Sequence, residues 1–294
     1  MQMVSLALLV AAASASASNA TRHVSWWFDV GENATVDALN VAAIAKHRSV
    51  FTRVMPCSSD DLLDGNVTRW WGAEAQVNAW LGPLKETGVP VLPYLIDIDN
   101  STQMHLVYAN STAFIADAVA VAQHFGLSGW FIDYEDEYPA DTDPDKSAKL
   151  ASFLTELGDS LHAKDMELTI CVASWSSLLS DYESIARSSV DELQQMSTYA
   201  NPSNYVDILD TYFAAIKAGD GGRTTKAGVG VGVYYDGHGG YENDWSEESA
   251  RSFVNYVAAA GGNIDVFRLL NDEEHGWPRD EFWWDILSDF VSSE

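Results

Sequence analysis

The chain has 294 residues, enough for one large core or two modest domains. It carries 43 acidic against 16 basic residues, a formal net charge of −27. A protein this acidic repels phosphate backbones and anionic lipids, which argues against nucleic acid or a membrane surface as a partner. A neutral substrate remains compatible with this charge.

The N-terminus has the pattern of a secretory signal peptide. Residues 4–13 are apolar, and Ala15-Ser16-Ala17 offers a small-residue cleavage site. We therefore expect residues 1–17 to be removed and residues 18–294 to form one domain, with no membrane attachment after cleavage. The alternative is an uncleaved N-terminal anchor. The expected location is extracellular, or the lumen of a vacuole or lysosome.

Asn-x-Ser/Thr triplets support a secretory route, because in that compartment they accept N-linked glycans on the protein surface. The triplets begin at Asn19, Asn33, Asn66, Asn100 and Asn110. The chain has two cysteines, Cys57 and Cys171. An oxidising compartment permits a bridge between them, but a chain of this length does not require one, and we expect two free thiols.

Short apolar runs alternate with helical periodicity along the rest of the chain. The predicted strands are Ser25–Asp29, Val50–Pro56, Val89–Ile98, Gly129–Asp133, Glu167–Ser174, Leu193–Tyr199, Ala227–Tyr234 and Asp265–Leu270. The predicted helices include Val36–Lys46, Ala73–Thr87, Ser111–Phe125, Lys146–Lys164, Tyr205–Ala218 and Ser246–Ala260, with C-caps at Gly126 and Gly261. Eight such units of about 35 residues predict a single α/β domain, a (β/α)8 TIM barrel. An open doubly wound sheet is the alternative fold.

Two acids end the fourth predicted strand, which continues as Gly-Trp-Phe-Ile-Asp-Tyr-Glu from Gly129 to Glu135. Side chains alternate along a strand, so Phe131, Asp133 and Glu135 share one face. Their apolar neighbours suit the helix-facing side, which points the two acids into the barrel at its C-terminal end, where barrel enzymes place their active sites. Two carboxyl groups roughly 6.5 Å apart along the backbone couple electrically, which suits a general acid beside a supporting carboxylate. The alternative is a solvated acidic loop.

This segment resembles the fourth-strand motif of the glycoside hydrolase family 18 barrels, which include chitinases, chitobiase and endo-β-N-acetylglucosaminidases. The resemblance implies that Glu135 protonates the glycosidic oxygen. It implies that Asp133 orients the substrate's acetamido group, whose oxygen is the nucleophile of a retaining, substrate-assisted reaction. A related endoglycosidase family carries Asn-x-Glu after Gly-Trp-x-Ile, and the Gly129-Trp130 opening is similar to that pattern too.

The chain departs from the family pattern at two places. The family has two earlier acids on this strand, where this chain has Ser128 and Phe131. Phe131 removes a proton-sharing partner and makes the floor apolar, so we expect Asp133 to titrate above the ordinary aspartate range. The departures favour an altered substrate, or a barrel that binds sugar without cleaving it.

Supporting residues are predicted from the remaining strands. The sixth predicted strand places Tyr199 where the family has a tyrosine that bonds the acetamido carbonyl, with Gln195 and Ser197 on the same face. Aromatic rings at a barrel mouth stack on sugars, so the candidates for substrate binding are Tyr94, Trp175, Tyr234 and Trp277. For each ring, core packing is the alternative.

Other chemistry has less support in the sequence. Gly228-Val-Gly-Val-Gly232 lacks the spacing of a dinucleotide motif and indicates a tightly packed barrel strand instead. The histidines show no metal spacing, and we expect neither a metal nor a cofactor. The prediction is a secreted glycosidase acting on an oligo- or polysaccharide that contains β-linked N-acetylglucosamine. The alternatives are a lectin-like barrel that has lost turnover and a metal-dependent phosphodiesterase.

Overall fold

The computed structural model describes residues 22–31, 33–57, 74–98, 101–134, 145–173, 182–199, 201–233, 245–269 and 281–293. Eight strands alternate with nine helices and one short 3-10 helix within these residues. The strands are β1 (Val24–Asp29), β2 (Arg53–Cys57), β3 (Tyr94–Ile98), β4 (Gly129–Tyr134), β5 (Glu167–Val172), β6 (Glu192–Gln195), β7 (Ala227–Gly232) and β8 (Asn263–Phe267). The helices are α1 (Ala34–Lys46), α2 (Glu74–Glu86), α3 (Ser101–Ala109), α4 (Ser111–Phe125), α5 (Lys146–His162), α6 (Tyr182–Arg187), α7 (Tyr205–Gly219), α8 (Glu247–Ala260) and α9 (Phe282–Ser292). No helix in these ranges is long and apolar enough to cross a membrane.

The strands form one parallel sheet in the order β2-β1-β8-β7-β6-β5-β4-β3. Its two end strands meet at an isolated parallel bridge between Val54 and Val91. There the Val54 amide donates to the carbonyl of Pro90, and the Leu92 amide donates to the carbonyl of Val54, each at 2.9 Å. A sheet that returns to its own first edge is a barrel, which confirms the (β/α)8 prediction over an open doubly wound sheet.

The outer faces of the strands pack against the helices. On β1, Trp26 donates its indole N–H to the carbonyl of Val50 at 3.1 Å and stacks on Trp284 of α9. On β4, Trp130 donates to the carbonyl of Ala118 in α4 at 3.0 Å. Because side chains alternate along a strand, these contacts assign the neighbouring residues Trp27 and Phe131 to the barrel interior.

The helix ends agree with the caps that the sequence indicates. Gly126 and Gly261 have φ of 62° and 77°, in the left-handed region that favours glycine. Ser246 caps α8 by accepting from the Ser249 amide at 3.1 Å. The N-cap of α4 is Asn110, and Ser111 is the first residue of the helix, as predicted.

The prediction of one strand from Leu193 to Tyr199 is wrong. β6 ends at Gln195, and residues 197–199 form a turn. The Gln195 side chain causes this change, since its Oε1 accepts from the Ser197 amide at 2.7 Å and its Nε2 donates to the Thr198 hydroxyl at 2.7 Å. Thr198 in turn donates to the carbonyl of Gly230 on β7. Side chains in this segment therefore do not alternate as strand residues do.

Candidate active site

The N-terminal end of the barrel is closed by buried charges. Arg53, the first residue of β2, donates to Oε2 of Glu192 at 3.0 Å and to the hydroxyl of Thr169 at 3.1 Å. Glu167 lies 3.4 Å from the same guanidinium, and Asn263 donates to Glu192 at 2.6 Å. These residues satisfy each other's polar groups, so this end of the barrel is a structural plug.

A second buried carboxyl lies in the interior above the plug. Gln194 donates its amide to Asp265 and, at 3.1 Å, to Oε1 of Glu192. Burial, together with the neighbouring Glu192 carboxylate, raises the pKa of Asp265 well above its ordinary range. Its environment therefore favours the protonated, uncharged form of this acid.

Aromatic rings fill the next part of the interior, toward the C-terminal end. Trp27 of β1 packs against Phe131 of β4 at 4.6 Å between ring centroids and against Phe267 of β8 at 5.8 Å. Tyr94 of β3 lies 5.3 Å from Phe131, and Tyr199 stacks on Phe267 at 5.0 Å. Five rings from four strands and one turn thus make an apolar floor, as the presence of Phe131 predicted.

Asp133 lies at the C-terminal side of this floor. It is half-buried and shares the inner face of β4 with Phe131. In the sheet register its neighbours are Asp97 on β3 and Cys171 on β5. The hydroxyl of Tyr199 lies 3.9 Å from the Cys171 sulfur, which brings Tyr199 to the strand next to Asp133. The structure therefore brings the predicted residues Asp133 and Tyr199 to the same end of the barrel.

The surroundings of Tyr199 keep its hydroxyl protonated. Burial raises the pKa of Tyr199 well above its ordinary value, and the nearby Cys171, Asp265 and Asp133 raise it further. A neutral phenol is a hydrogen-bond donor.

Glycines on β7 make room for these side chains. A Cβ atom at Gly228 would stand 2.2 Å from Oδ2 of Asp265, and one at Gly230 would stand 2.4 Å from Cε1 of Tyr199. The alternating glycines of this strand are therefore packing positions, which confirms the interpretation of the Gly-Val-Gly-Val-Gly run as a crowded barrel strand. They are needed on the inner face, where β7 contributes no side chain of its own.

Several predicted site residues lie outside the described residues. These are Glu135, Trp175, Tyr234 and Trp277. Glu135 directly follows the last residue of β4, Tyr134. Tyr94 is described and is buried in the aromatic floor. The catalytic and binding roles of all these residues stay predictions.

Three residues of this region were not predicted from the sequence. Trp27 and Phe267 complete the floor, and Cys171 lies between Asp133 and the Tyr199 hydroxyl. The signal for Trp27 was its place on a predicted strand at the same parity as Ser25 and Asp29. Cys57 and Cys171 are both free thiols, as expected.

The rim of the barrel beside β1 and β8 carries an ion pair. Arg268 donates to Oδ2 of Asp29 at 2.6 Å, and its guanidinium carbon lies 5.6 Å from the centre of the Phe267 ring. Both side chains are partly exposed. The pair is close to neutral as a unit, so this part of the rim offers hydrogen-bonding groups without a net charge.

Comparisons with known proteins agree with this architecture. Residues 77–214, which run from within α2 to within α7, match the sequence model of glycosyl hydrolase family 85. No curated protein sequence matches the chain. The similarity to solved structures shows the fold alone, because the sequence identities are low.

Three solved structures illustrate the similarity. A chitinase from Chromobacterium violaceum ATCC 12472 has a TM-score of 0.66 and 17% identity, covering 93% of this chain and 100% of that one. A class V chitinase from Nicotiana tobaccum has a TM-score of 0.65 and 14% identity, covering 92% and 99%. A glycoside hydrolase family 18 N-acetylglucosaminidase from Paenibacillus barengoltzii has a TM-score of 0.62 and 14% identity, covering 92% and 99%. The fold and the partial family match together support a glycosidase with a chitinase-like barrel, divergent in sequence.

Proposed function

We propose that this chain is a secreted glycoside hydrolase that cleaves β-linked N-acetylglucosamine-containing glycans by substrate-assisted, retaining catalysis. The observation that carries the proposal is the placement of Asp133. It lies on the inner face of β4 at the C-terminal end, above an aromatic floor and next to the strand that meets the Tyr199 hydroxyl. The partial family match and the chitinase-like fold support a glycan substrate, and a mutant of the similar chitinase from Nicotiana tobaccum has been solved in complex with NAG4.

Each group has a definite role in the proposed reaction. Glu135 donates a proton to the glycosidic oxygen and later accepts one from the attacking water. The substrate's own acetamido oxygen attacks the anomeric carbon. Asp133 accepts from the acetamido N–H, and the Tyr199 hydroxyl donates to the acetamido oxygen, which holds that oxygen in line for attack. No second carboxylate of the protein has to form a bond to the sugar.

The proposed location rests on the N-terminal pattern and on the surface triplets. Within the described residues, Asn33 and Asn110 are exposed, each at the N-terminus of a helix. An exposed acceptor is what glycosylation requires. Expression of the full chain in eukaryotic cells tests this: the secreted protein should begin after Ala17 and lose mass on enzymatic deglycosylation. Retention in the cytosol would contradict secretion and leave the proposed chemistry intact.

Hydrolysis of chitobioside and chito-oligosaccharide substrates tests the activity. Wild type should cleave them, and Glu135→Gln should lose about 10²–10⁴-fold in kcat. Glu137→Gln is the control, because it removes an acid of the same segment and should leave the rate unchanged. A substrate with a hydroxyl in place of the acetamido group should resist cleavage.

Each alternative outcome has its own interpretation. If Glu135→Gln retains wild-type activity, the assigned role of Glu135 is wrong. Sugar binding without turnover by the wild type identifies a lectin-like barrel. Activity that disappears with a chelator and returns with a divalent metal identifies a metal-dependent enzyme instead.

A further inference from the structure

The indole of Trp27 differs from those of two other tryptophans in the sheet. Trp26 and Trp130 face the helices, and each donates its N–H to a backbone carbonyl. Trp27 faces the barrel interior and is 3% exposed, and its Nε1 has no hydrogen-bond partner in the described part of the chain. An unpaired buried donor is costly, so a protein that keeps one at this depth has a use for it.

The position of the indole limits the acceptors that it can serve. The Trp27 ring packs on Phe131. Asp133 lies on the same inner face of β4, two residues further toward the C-terminal end of the barrel. Among the described residues, polar groups near this level also include the Cys171 thiol, a weak acceptor, and the Tyr199 hydroxyl, which is needed as a donor. The Asp133 carboxylate is the strongest acceptor of these three.

We propose that Trp27 is a positioning residue for Asp133: its indole N–H donates to the Asp133 carboxylate as the catalytic site assembles around substrate. This inference rests on the proposed function. It assigns a role to the departure at Phe131, where the family pattern has a second carboxyl group. A carboxyl partner shares its proton with the aspartate, whereas an indole only donates. Asp133 therefore remains an ionised acceptor for the acetamido N–H to lower pH than an apolar floor alone would allow.

Other titratable groups also face Asp133. They are Cys171 on β5 and Tyr199 after β6, with Asp265 of β8 and the Arg268–Asp29 pair of the β8–β1 rim further away. The backbone of Asp97 on β3 is its partner in register, and Glu135 follows Tyr134 in the sequence. None of these groups is altered by a substitution at Trp27, so the difference between wild type and Trp27→Phe isolates the indole N–H.

The pH dependence of kcat for chitobioside hydrolysis tests this inference, because the proposed bond forms in the substrate complex. The acid limb of kcat reports the essential ionised group of the enzyme–substrate complex, which is Asp133 in the proposed mechanism. Trp27→Phe keeps an aromatic ring in the floor, and we expect its acid limb to move up by about one pH unit, the effect of losing one hydrogen bond to a charge. Trp26→Phe is the matched control. It removes an indole that faces outward, and it should lower the melting temperature without moving the limb. An unchanged limb in Trp27→Phe overturns the inference while hydrolysis by the wild type still supports the function.

Indole NMR gives a second measurement that requires no change in the floor. In the complex with a chito-oligosaccharide analogue that is not hydrolysed, the Trp27 indole proton should shift as wild type is titrated through the acid limb, and this shift should be missing in Asp133→Asn. Indole resonances that titrate identically in both proteins overturn the inference. This measurement is independent of turnover, so a wild type that cleaves no substrate contradicts the proposed function and leaves the donor relationship to be decided by the spectra.

Discussion

Gly230 and Tyr199 are complementary: a Cβ atom at Gly230 would stand 2.4 Å from Cε1 of Tyr199 and 2.6 Å from the carbonyl oxygen of Gln195. The tyrosine ring therefore occupies space that the inner face of β7 leaves empty. The absence of a side chain at Gly230 makes room for the Tyr199 ring near Asp133. The site therefore depends on β7, although β7 contributes no functional group to it.

Gly230→Ala should therefore disturb the site. The new methyl group collides with the Tyr199 ring and with backbone, so we expect reduced stability and a loss of at least about tenfold in kcat. Gly262→Ala is the control, because its Cβ would meet the Phe213 ring at 2.9 Å, away from the site. It should lower the melting temperature with little change in kcat per folded molecule. Equal effects of the two variants on kcat would contradict the arrangement.

Tyr199→Phe removes only the hydroxyl. The ring keeps its stacking on Phe267, so we expect a fold close to wild type and a decrease in kcat of roughly tenfold, the value of one hydrogen bond in the transition state. Tyr256→Phe is the matched control, since the Tyr256 hydroxyl donates to Asp210 on the exterior of the barrel. Its steady-state kinetics should match wild type. Full activity of Tyr199→Phe would remove Tyr199 from the mechanism.

Asp265 makes stability depend on pH. Its folded pKa is raised above the unfolded value of 3.8, so the folded protein binds more protons than the unfolded chain in the window above that value. Stability should fall as pH rises through this window. Asp265→Asn stays uncharged, so its melting temperature should fall less steeply than that of wild type as pH rises above the unfolded value. Asp289→Asn, at an exposed position, controls for the loss of one negative charge and should follow the wild-type slope.

Arg53 neutralises the plug at the N-terminal end. Arg53→Met leaves the buried carboxylate of Glu192 without its cation, and we expect a loss of about 3–5 kcal/mol in the free energy of unfolding, measured by urea denaturation. Arg251→Met removes two ion pairs from the exposed surface of α8 and should leave the denaturation midpoint nearly unchanged. Similar midpoints for the two variants would mean that the plug carries little stability.

The barrel was predictable because the sequence patterns that indicate its strands and helices are local and occur again in each unit. The alternation of Trp130, Phe131 and Asp133 determined which acid faces inward, and glycines such as Gly126 marked helix ends. The end of β6 was not predictable, because hydrogen bonds from the Gln195 side chain replace the backbone hydrogen bonds that would continue the strand. The place of Trp27 was not predictable either, since it depends on contacts between strands that lie far apart in sequence.

The bridge between Val54 and Val91 has a consequence for how the molecule opens. Every other neighbouring pair of strands shares a ladder of three or more residue pairs, while β2 and β3 are joined at one point. We expect local opening of the barrel to begin between β2 and β3, where the strands are joined at one point. The amides of β2 and β3 should exchange with deuterium before those of β4 and β5, and gentle denaturation should part the barrel along this line while the half that holds Asp133 and Tyr199 remains assembled.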